Sequence, residues 1–215
     1  MKNDVLSRLL ALFGVLCCAA CTMPDPESGS GMSVSTSSGV VSAESGPEGS
    51  LVFRDIPFAQ PPEGAGRWAA PGRLETPEQV ISSKPEPVMC PQPQGMASGS
   101  AEGEYLGSED CLYLDIYAPG EATASDLPVM LWIHGGSNVT GHKGTYDFSR
   151  FAAREQVVVV TINYRLGPFG WFVHPALNGA DLKTSPLANF GTLDMLEALR
   201  WTQRNITLFG GDRGN

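Results

Sequence analysis

The chain has 215 residues, of which 42% are hydrophobic, and its formal net charge is −9. That length suffices for one sizeable domain or for part of a larger one. The negative charge argues against a nucleic-acid partner, because nucleic-acid-binding proteins present a basic face to phosphates.

Residues 1–21 have the layout of an export signal. Lys2 and Arg8 supply positive charge, and Leu9 to Leu16 form a short apolar stretch. This stretch is shorter than the roughly 20 apolar residues that span a bilayer. The segment therefore predicts a protein that leaves the cytoplasm.

The end of this segment offers two kinds of processing. Ala19 and Ala20 precede Cys21, a sequence similar to the lipobox of bacterial lipoproteins, in which the cysteine is acylated after cleavage. Cys18 stands where the lipobox prefers leucine, so an ordinary cleaved signal peptide is the alternative. Lipidation of Cys21 would bind the protein to a membrane of the bacterial cell envelope, whereas plain cleavage would secrete it.

Residues 22–38 contain mainly Pro, Ser, Gly, Thr and acidic residues. This composition gives little to bury and predicts a flexible tether. The folded body is then expected to span residues 39–215.

Cys90 and Cys111 are the two cysteines of this body. In an oxidising compartment such a pair, without histidines at metal spacing, predicts a disulfide. The bond would close a loop of about 20 residues and contribute roughly 3 kcal/mol. Two free buried thiols are the alternative, and we expect neither a metal nor a cofactor.

The second half of the chain alternates strands with helices. Residues 112–117 alternate in polarity and predict a half-buried strand, whereas 129–133 and 157–162 are continuously apolar and predict buried strands. Residues 146–155 and 190–205 predict helices, the second largely buried. This order is typical of an α/β fold with a parallel sheet.

The body resembles the type-B carboxylesterases, the family that includes the cholinesterases. Five segments carry the resemblance, and they occur in the family's order: 53–62, 108–114, 128–137, 158–170 and 189–212. The resemblance implies the N-terminal part of an α/β-hydrolase fold, with a central, mostly parallel sheet flanked by helices. It also implies serine-dependent hydrolysis of a small-molecule carboxylic ester.

His134-Gly135-Gly136-Ser137 is similar to the family's His-Gly-Gly-Gly turn. In this fold the turn donates backbone N–H groups to the oxyanion of the reacting ester. The resemblance assigns the two donors to Gly136 and Ser137. Serine replaces a glycine but keeps its N–H. A tight turn that merely ends a strand is the alternative.

The family's Gly-x-Ser-x-Gly nucleophile motif is absent from the 215 residues. Its triad runs in the order Ser, acid, His, so His134, His142 and His174 are not expected to be the base. Asp194 and Asp212 are likewise not expected to be the acid. We therefore predict that these residues alone are inactive and belong to a serine esterase. A non-catalytic cholinesterase-like adhesion protein or a decayed reading frame is the alternative.

The resemblance implies two further structural features. Arg67 and Glu109 correspond to a family ion pair that pins the N-terminal loops. In the family, the strand that follows the equivalent of Asn215 carries the nucleophile and lies beside residues 129–133. Without it, strand 129–133 is expected to have an open edge, which favours aggregation.

Overall fold

The computed structural model describes residues 32–94, 104–120, 125–174 and 189–215. The predicted signal with Cys21 and most of the predicted tether lie outside these residues. No helix in the described ranges is long and apolar enough to cross a membrane.

The described residues form ten strands and three α-helices. The strands are β1 (Ser33–Thr36), β2 (Gly39–Ser42), β3 (Glu44–Ser45), β4 (Leu51–Pro57), β5 (Val80–Ile81), β6 (Gln92–Pro93), β7 (Tyr105–Leu106), β8 (Tyr113–Ala118), β9 (Val129–Ile133) and β10 (Val158–Ile162). The helices are α1 (Ser149–Glu155), α2 (Gly167–Gly170) and α3 (Phe190–Asn205). Short 3₁₀ turns include Lys143–Thr145 and Ile206–Phe209.

The main sheet has five strands in the order β3-β4-β8-β10-β9. Strands β9 and β10 pair in parallel, whereas the pairs β3–β4, β4–β8 and β8–β10 are antiparallel. Strands β1, β2 and β5 form a separate small sheet, and β6 pairs with β7. Within the described part of the main sheet, the parallel pairing predicted from sequence is thus limited to β9 and β10, and in the small sheet β2 pairs with β5 in parallel.

Side chains of β10 alternate between two cores because successive residues of a strand face opposite sides. Val158 and Val160 belong to a large core that includes Trp201 of α3. Val159 belongs to a smaller core with Ala152 of α1. The sheet therefore has a helix on each face.

The predicted tether extends too far toward the body. Val34 of β1 is buried, and Ser33–Thr36 pairs with β2 along its length. Beyond β1, the Ser38 hydroxyl accepts a hydrogen bond from Trp201 Nε1 at 2.8 Å, and Ser37 N–H donates to Asn205 Oδ1 at 3.0 Å. Burial of one valine and bonding to α3 outweigh the polar composition, so folded structure begins before residue 39.

Burial of the strands also differs from the sequence prediction. All six residues of β8 are buried, because β4 and β10 flank it and core side chains cover both faces. In contrast, Met130 and Ile133 of β9 are each 42% exposed. In the described part of the chain, β9 has one strand neighbour, β10, and just before β9 an isolated parallel bridge joins Leu127 to Gly211.

The helices differ from the prediction in smaller ways. Helix α1 begins at Ser149, three residues after the predicted start at Tyr146. Helix α3 has the predicted bounds, but Leu196 and Leu199 are 41% and 45% exposed. Its apolar residues lie around much of the helix, so one face remains open where the described chain provides no neighbour.

Strand β1 provides a test of where the folded body begins. Val34→Ala removes two buried methyl groups, for which we expect a loss of about 1–2 kcal/mol in the free energy of unfolding. Ser35→Ala, on the exposed side of the same strand, is the control and should change little. Thermal denaturation of the protein from the complete reading frame measures both. Equal melting temperatures for Val34→Ala and wild type would support the tether instead.

Candidate active site

The turn after β9 contains a position that only glycine can occupy. Gly136 has a φ of 110°, and a Cβ added there would lie 2.0 Å from the carbonyl oxygen of Thr140. The Gly136 carbonyl accepts hydrogen bonds from the N–H groups of Val139 and Thr140, at 3.0 and 3.1 Å. These two bonds close the turn around a backbone that leaves no room for a side chain.

Two further residues of this turn are left-handed. Ser137 and Asn138 have φ values of 55° and 61°, which cost roughly 1–2 kcal/mol for a residue with a Cβ. Gly136 and Ser137 are exposed, and their N–H groups donate to no acceptor within the described residues. Two adjacent N–H groups without an acceptor among the described residues are available to bind an anionic oxygen.

The start of the turn is fixed by His134 and Tyr164. The Tyr164 hydroxyl donates to the His134 carbonyl at 2.9 Å, and the two rings stack with centroids 4.4 Å apart. His134 Nδ1 lies 2.8 Å from the Gly135 carbonyl, an acceptor, so Nδ1 carries the proton. Nε2 is then a buried acceptor without a hydrogen-bond partner among the described residues. Burial lowers the pKa of His134, which favours this neutral form.

The end of the turn is fixed by side chains from other segments. Gln92 of β6 bonds Gly141 twice, accepting from its N–H at 2.8 Å and donating to its carbonyl at 3.0 Å. Asn163, directly after β10, accepts from the Lys143 N–H at 2.7 Å. Gly141 has a φ of 115°, and a Cβ there would meet His134 Nδ1 at 2.3 Å. The two ends of the turn therefore pack against each other.

The two cysteines form the predicted bond. Cys90 and Cys111 are joined by a disulfide with an S–S distance of 2.02 Å, and both are buried. The Asn163 Nδ2 group donates to the carbonyls of Cys111 and Val88, at 3.0 and 2.9 Å. The chain on both sides of the disulfide is thus bonded to the residue that holds Lys143.

Arg67 and Glu109 form a two-pronged ion pair, with N–O distances of 2.6 and 2.5 Å. The Arg67 side chain is 37% exposed, so solvent screens much of the interaction. The Arg67 carbonyl accepts from Arg165 Nη1 at 3.0 Å, and Arg165 forms a buried ion pair with Asp194 of α3. The Arg67 carbonyl therefore connects an N-terminal loop to the buried segment that follows β10.

The residues not expected in a triad have structural contacts. Asp194 is bonded to Arg165, and Asp212 accepts from the Gly214 N–H at 2.8 Å. The His174 ring stacks on Phe172. In the described ranges, no group of three or more His, Cys, Asp or Glu side chains could hold a metal ion.

Sequence reasoning missed several residues around the turn. Lys143, Asp55 and Asp115 form a buried charged cluster, and Asn163 and Gln92 bond the backbone between Gly141 and Lys143. Most of these contacts join residues far apart in sequence, so local spacing carries no signal for them. Lys143 lies between Gly141 and Gly144, and this local sequence contains no pattern that indicates a buried lysine.

Solved structures that resemble the fold of this chain are esterases of the α/β-hydrolase fold. A thermophilic PNB esterase has a TM-score of 0.72 and 39% sequence identity, over 84% of this chain and 36% of the other. The Geobacillus stearothermophilus carboxylesterase EST55 has a TM-score of 0.69 and 35% identity, over 84% of this chain and 36% of the other. The fold class predicted from sequence is therefore confirmed.

Sequence comparisons give the family. The para-nitrobenzyl esterase of Bacillus subtilis is 42% identical over 165 residues, which is 76% of this chain and 32% of that protein. Carboxylesterase 3 of Pongo abelii is 45% identical over 168 residues, covering 75% of this chain and 28% of the relative. The family model described as the carboxylesterase family matches residues 31–215. The chain belongs to the carboxylesterase family, and it spans about a third of the length of these relatives.

The turn region has a testable pH dependence at His142. Its Nδ1 accepts from the Gly144 N–H at 3.1 Å, and burial lowers its pKa below the ordinary 6.5, assisted by the charge of Lys143 and opposed by Asp115. The unfolded chain therefore binds this proton more readily. The stabilisation is complete above pH 6.5 and is lost as the pH falls through the lowered pKa.

His142→Asn keeps an acceptor for Gly144 but removes the titrating group. Between about pH 7.5 and pH 5, we expect the melting temperature of wild type to fall more steeply than that of the variant. Parallel curves for the two proteins would contradict this assignment.

Proposed function

We propose that this chain supplies the oxyanion hole of a carboxylic ester hydrolase that acts through a serine nucleophile. The observation that carries the proposal is that Gly136 and Ser137 are exposed on a left-handed turn after β9 and that their N–H groups have no acceptor among the described residues. Membership of the carboxylesterase family supports it. The substrate would be a small-molecule carboxylic ester.

The two donors act on the charge that develops during acyl transfer. When a nucleophile adds to the ester carbonyl, its oxygen becomes an anion, and N–H groups already in position stabilise it without reorganising. The Gly136 and Ser137 N–H groups can donate to this anion, because no protein acceptor among the described residues competes for them. The Ser137 side chain projects from a position where glycine would leave more space, and we propose that it narrows the acyl site.

The nucleophile, acid and base would lie outside these 215 residues, since the sequence contains no Gly-x-Ser-x-Gly motif. On this proposal the 215-residue polypeptide does not hydrolyse esters alone. The parallel bridge between Leu127 and Gly211 supports a further strand beside β9. At this bridge, the segment around Gly211 runs parallel to the segment that leads into β9.

Two substitutions in the turn test the oxyanion hole. Gly136→Ala places a Cβ against Thr140, so the donors move and kcat should fall by about 10²–10³-fold. Ser137→Gly keeps the N–H and removes the left-handed cost, so kcat should stay within about threefold. Hydrolysis of a short-chain nitrophenyl ester by the protein from the complete reading frame measures both.

Three results would contradict the proposal. They are full activity of Gly136→Ala, a loss in Ser137→Gly as large as that in Gly136→Ala, and activity of a purified polypeptide of residues 1–215. A complete reading frame whose Gly-x-Ser-x-Gly motif lacks the serine would support a binding protein instead.

We also propose that the protein is exported and anchored through an acylated Cys21. The support is the lipobox-like sequence, together with a disulfide suited to an oxidising compartment. Cys21→Ala should move the protein from the membrane fraction to the soluble fraction of a bacterial host and abolish incorporation of labelled palmitate. Cys17→Ala is the matched control and should leave both unchanged. Membrane association that survives in Cys21→Ala would exclude this anchor.

A further inference from the structure

A buried cluster of three charged side chains lies at the end of the turn after β9 that contains Gly136 and Ser137. Lys143 Nζ is 2.7 Å from Asp55 Oδ1 and 2.7 Å from Asp115 Oδ1. The three side chains are only 6%, 7% and 1% exposed. Arg54 Nη1 lies 3.9 Å from Asp115 Oδ2, an atom without a hydrogen-bond partner among the described residues.

The backbone of β4 is distorted where it supplies Asp55. The pairing of β4 with β8 shifts between Phe53 and Ile56, which is a β-bulge opposite Asp115. Asp55 has a φ of 54°, and its N–H donates to Asp115 Oδ1 at 2.8 Å. A left-handed aspartate costs free energy, so the bulge persists because the cluster and these bonds hold it.

Lys143 connects this cluster to the donors. It lies two residues after Gly141, whose backbone packs against the His134 ring at the start of the turn. Its own N–H is bonded to Asn163. The Lys143 backbone is thus bonded to Asn163 and its ammonium group to two carboxylates, and these contacts together hold the residue at which the turn returns to the body.

Stability alone does not account for such a cluster. Buried ion pairs often contribute no more than apolar residues of similar volume, because removing charges from water costs as much as their attraction returns. They do impose a specific arrangement, since the lysine must reach both carboxylates. Lys143, Asp55 and Asp115 are therefore suited to setting the geometry of the loop.

We propose that Lys143, held by Asp55 and Asp115, is a positioning residue that sets the placement of the Gly136 and Ser137 N–H groups. This inference rests on the proposed oxyanion hole. Lys143 does not touch the substrate on this view. Its removal should weaken stabilisation of the transition state and leave ground-state binding nearly unchanged.

The test uses the protein from the complete reading frame and two variants. Lys143→Met leaves two buried carboxylates without their cation, so it also lowers stability. The triple variant Lys143→Met, Asp55→Asn, Asp115→Asn removes the buried charges together and separates positioning from charge imbalance. Titration with a fluorophosphonate counts the folded sites that hold a reactive serine, so kcat is expressed per intact site.

In the triple variant we expect kcat per site to fall by about 10²-fold, as for a small misplacement of a catalytic group, with KM within about threefold of wild type. Affinity for a trifluoromethyl ketone, which forms an oxyanion, should fall in parallel with kcat. Affinity for the corresponding methyl ketone should not. Arg154→Gln, which breaks the exposed pair with Glu48 and removes one positive charge as Lys143→Met does, is the control for that single variant and should leave kcat unchanged.

The outcomes separate the two proposals. A triple variant that retains kcat within about twofold, or that has no titratable sites because it does not fold, overturns the positioning role. Failure of wild type to react with the fluorophosphonate, or full activity of Gly136→Ala, overturns the oxyanion hole itself.

Discussion

The side-chain amide of Asn163 connects the segments around the candidate site. It accepts from the Lys143 N–H and donates to the carbonyls of Val88 and Cys111, so one buried group satisfies three backbone groups from three segments. Unpaired buried backbone groups are costly, and Asn163 can be placed there because β10 is pinned between β8 and β9. The position of the turn after β9 therefore depends on Asn163, which follows a central strand of the sheet.

Because of this arrangement, residues near the sheet are held by more contacts than residues in the turn. Close to the sheet, charged side chains such as Arg165 and Asp194 are almost fully buried and paired with each other. Further out, Gly136 and Ser137 are exposed, and within the part of the chain that the structure describes their N–H groups donate to no acceptor. A rigid base with an open, polar surface is what electrostatic stabilisation of a transient anion requires, because the donors must not relax toward other acceptors.

The sequence predicted the parts of the fold that depend on local pattern. The bounds of α3 and β9, the disulfide and the glycine turn were all visible as periodicity, cysteine spacing or motif. Burial was predicted less well. Alternation in 112–117 suggested a half-buried strand, yet β8 is covered on both faces because tertiary packing also buries Tyr113, Asp115 and Tyr117. The charged cluster could not be predicted, since Asp55 lies at a bulge in the pairing of β4 with β8 that local sequence does not indicate.

The disulfide lowers the entropic cost of assembling the bonds around Asn163. Asn163 bonds the carbonyls of Val88 and Cys111, and these residues flank or belong to the two halves of the Cys90–Cys111 bridge. While the thiols are reduced, the segments around Val88 and Cys111 are not linked to each other. The hydrogen bonds of the Asn163 amide must then offset the entropic cost of bringing the two segments together. Once the bridge has formed, the two carbonyls are held near each other, and less entropy is lost when Asn163 bonds both. Formation of the bridge should therefore favour the bonds through which Asn163 holds Lys143 at the end of the turn.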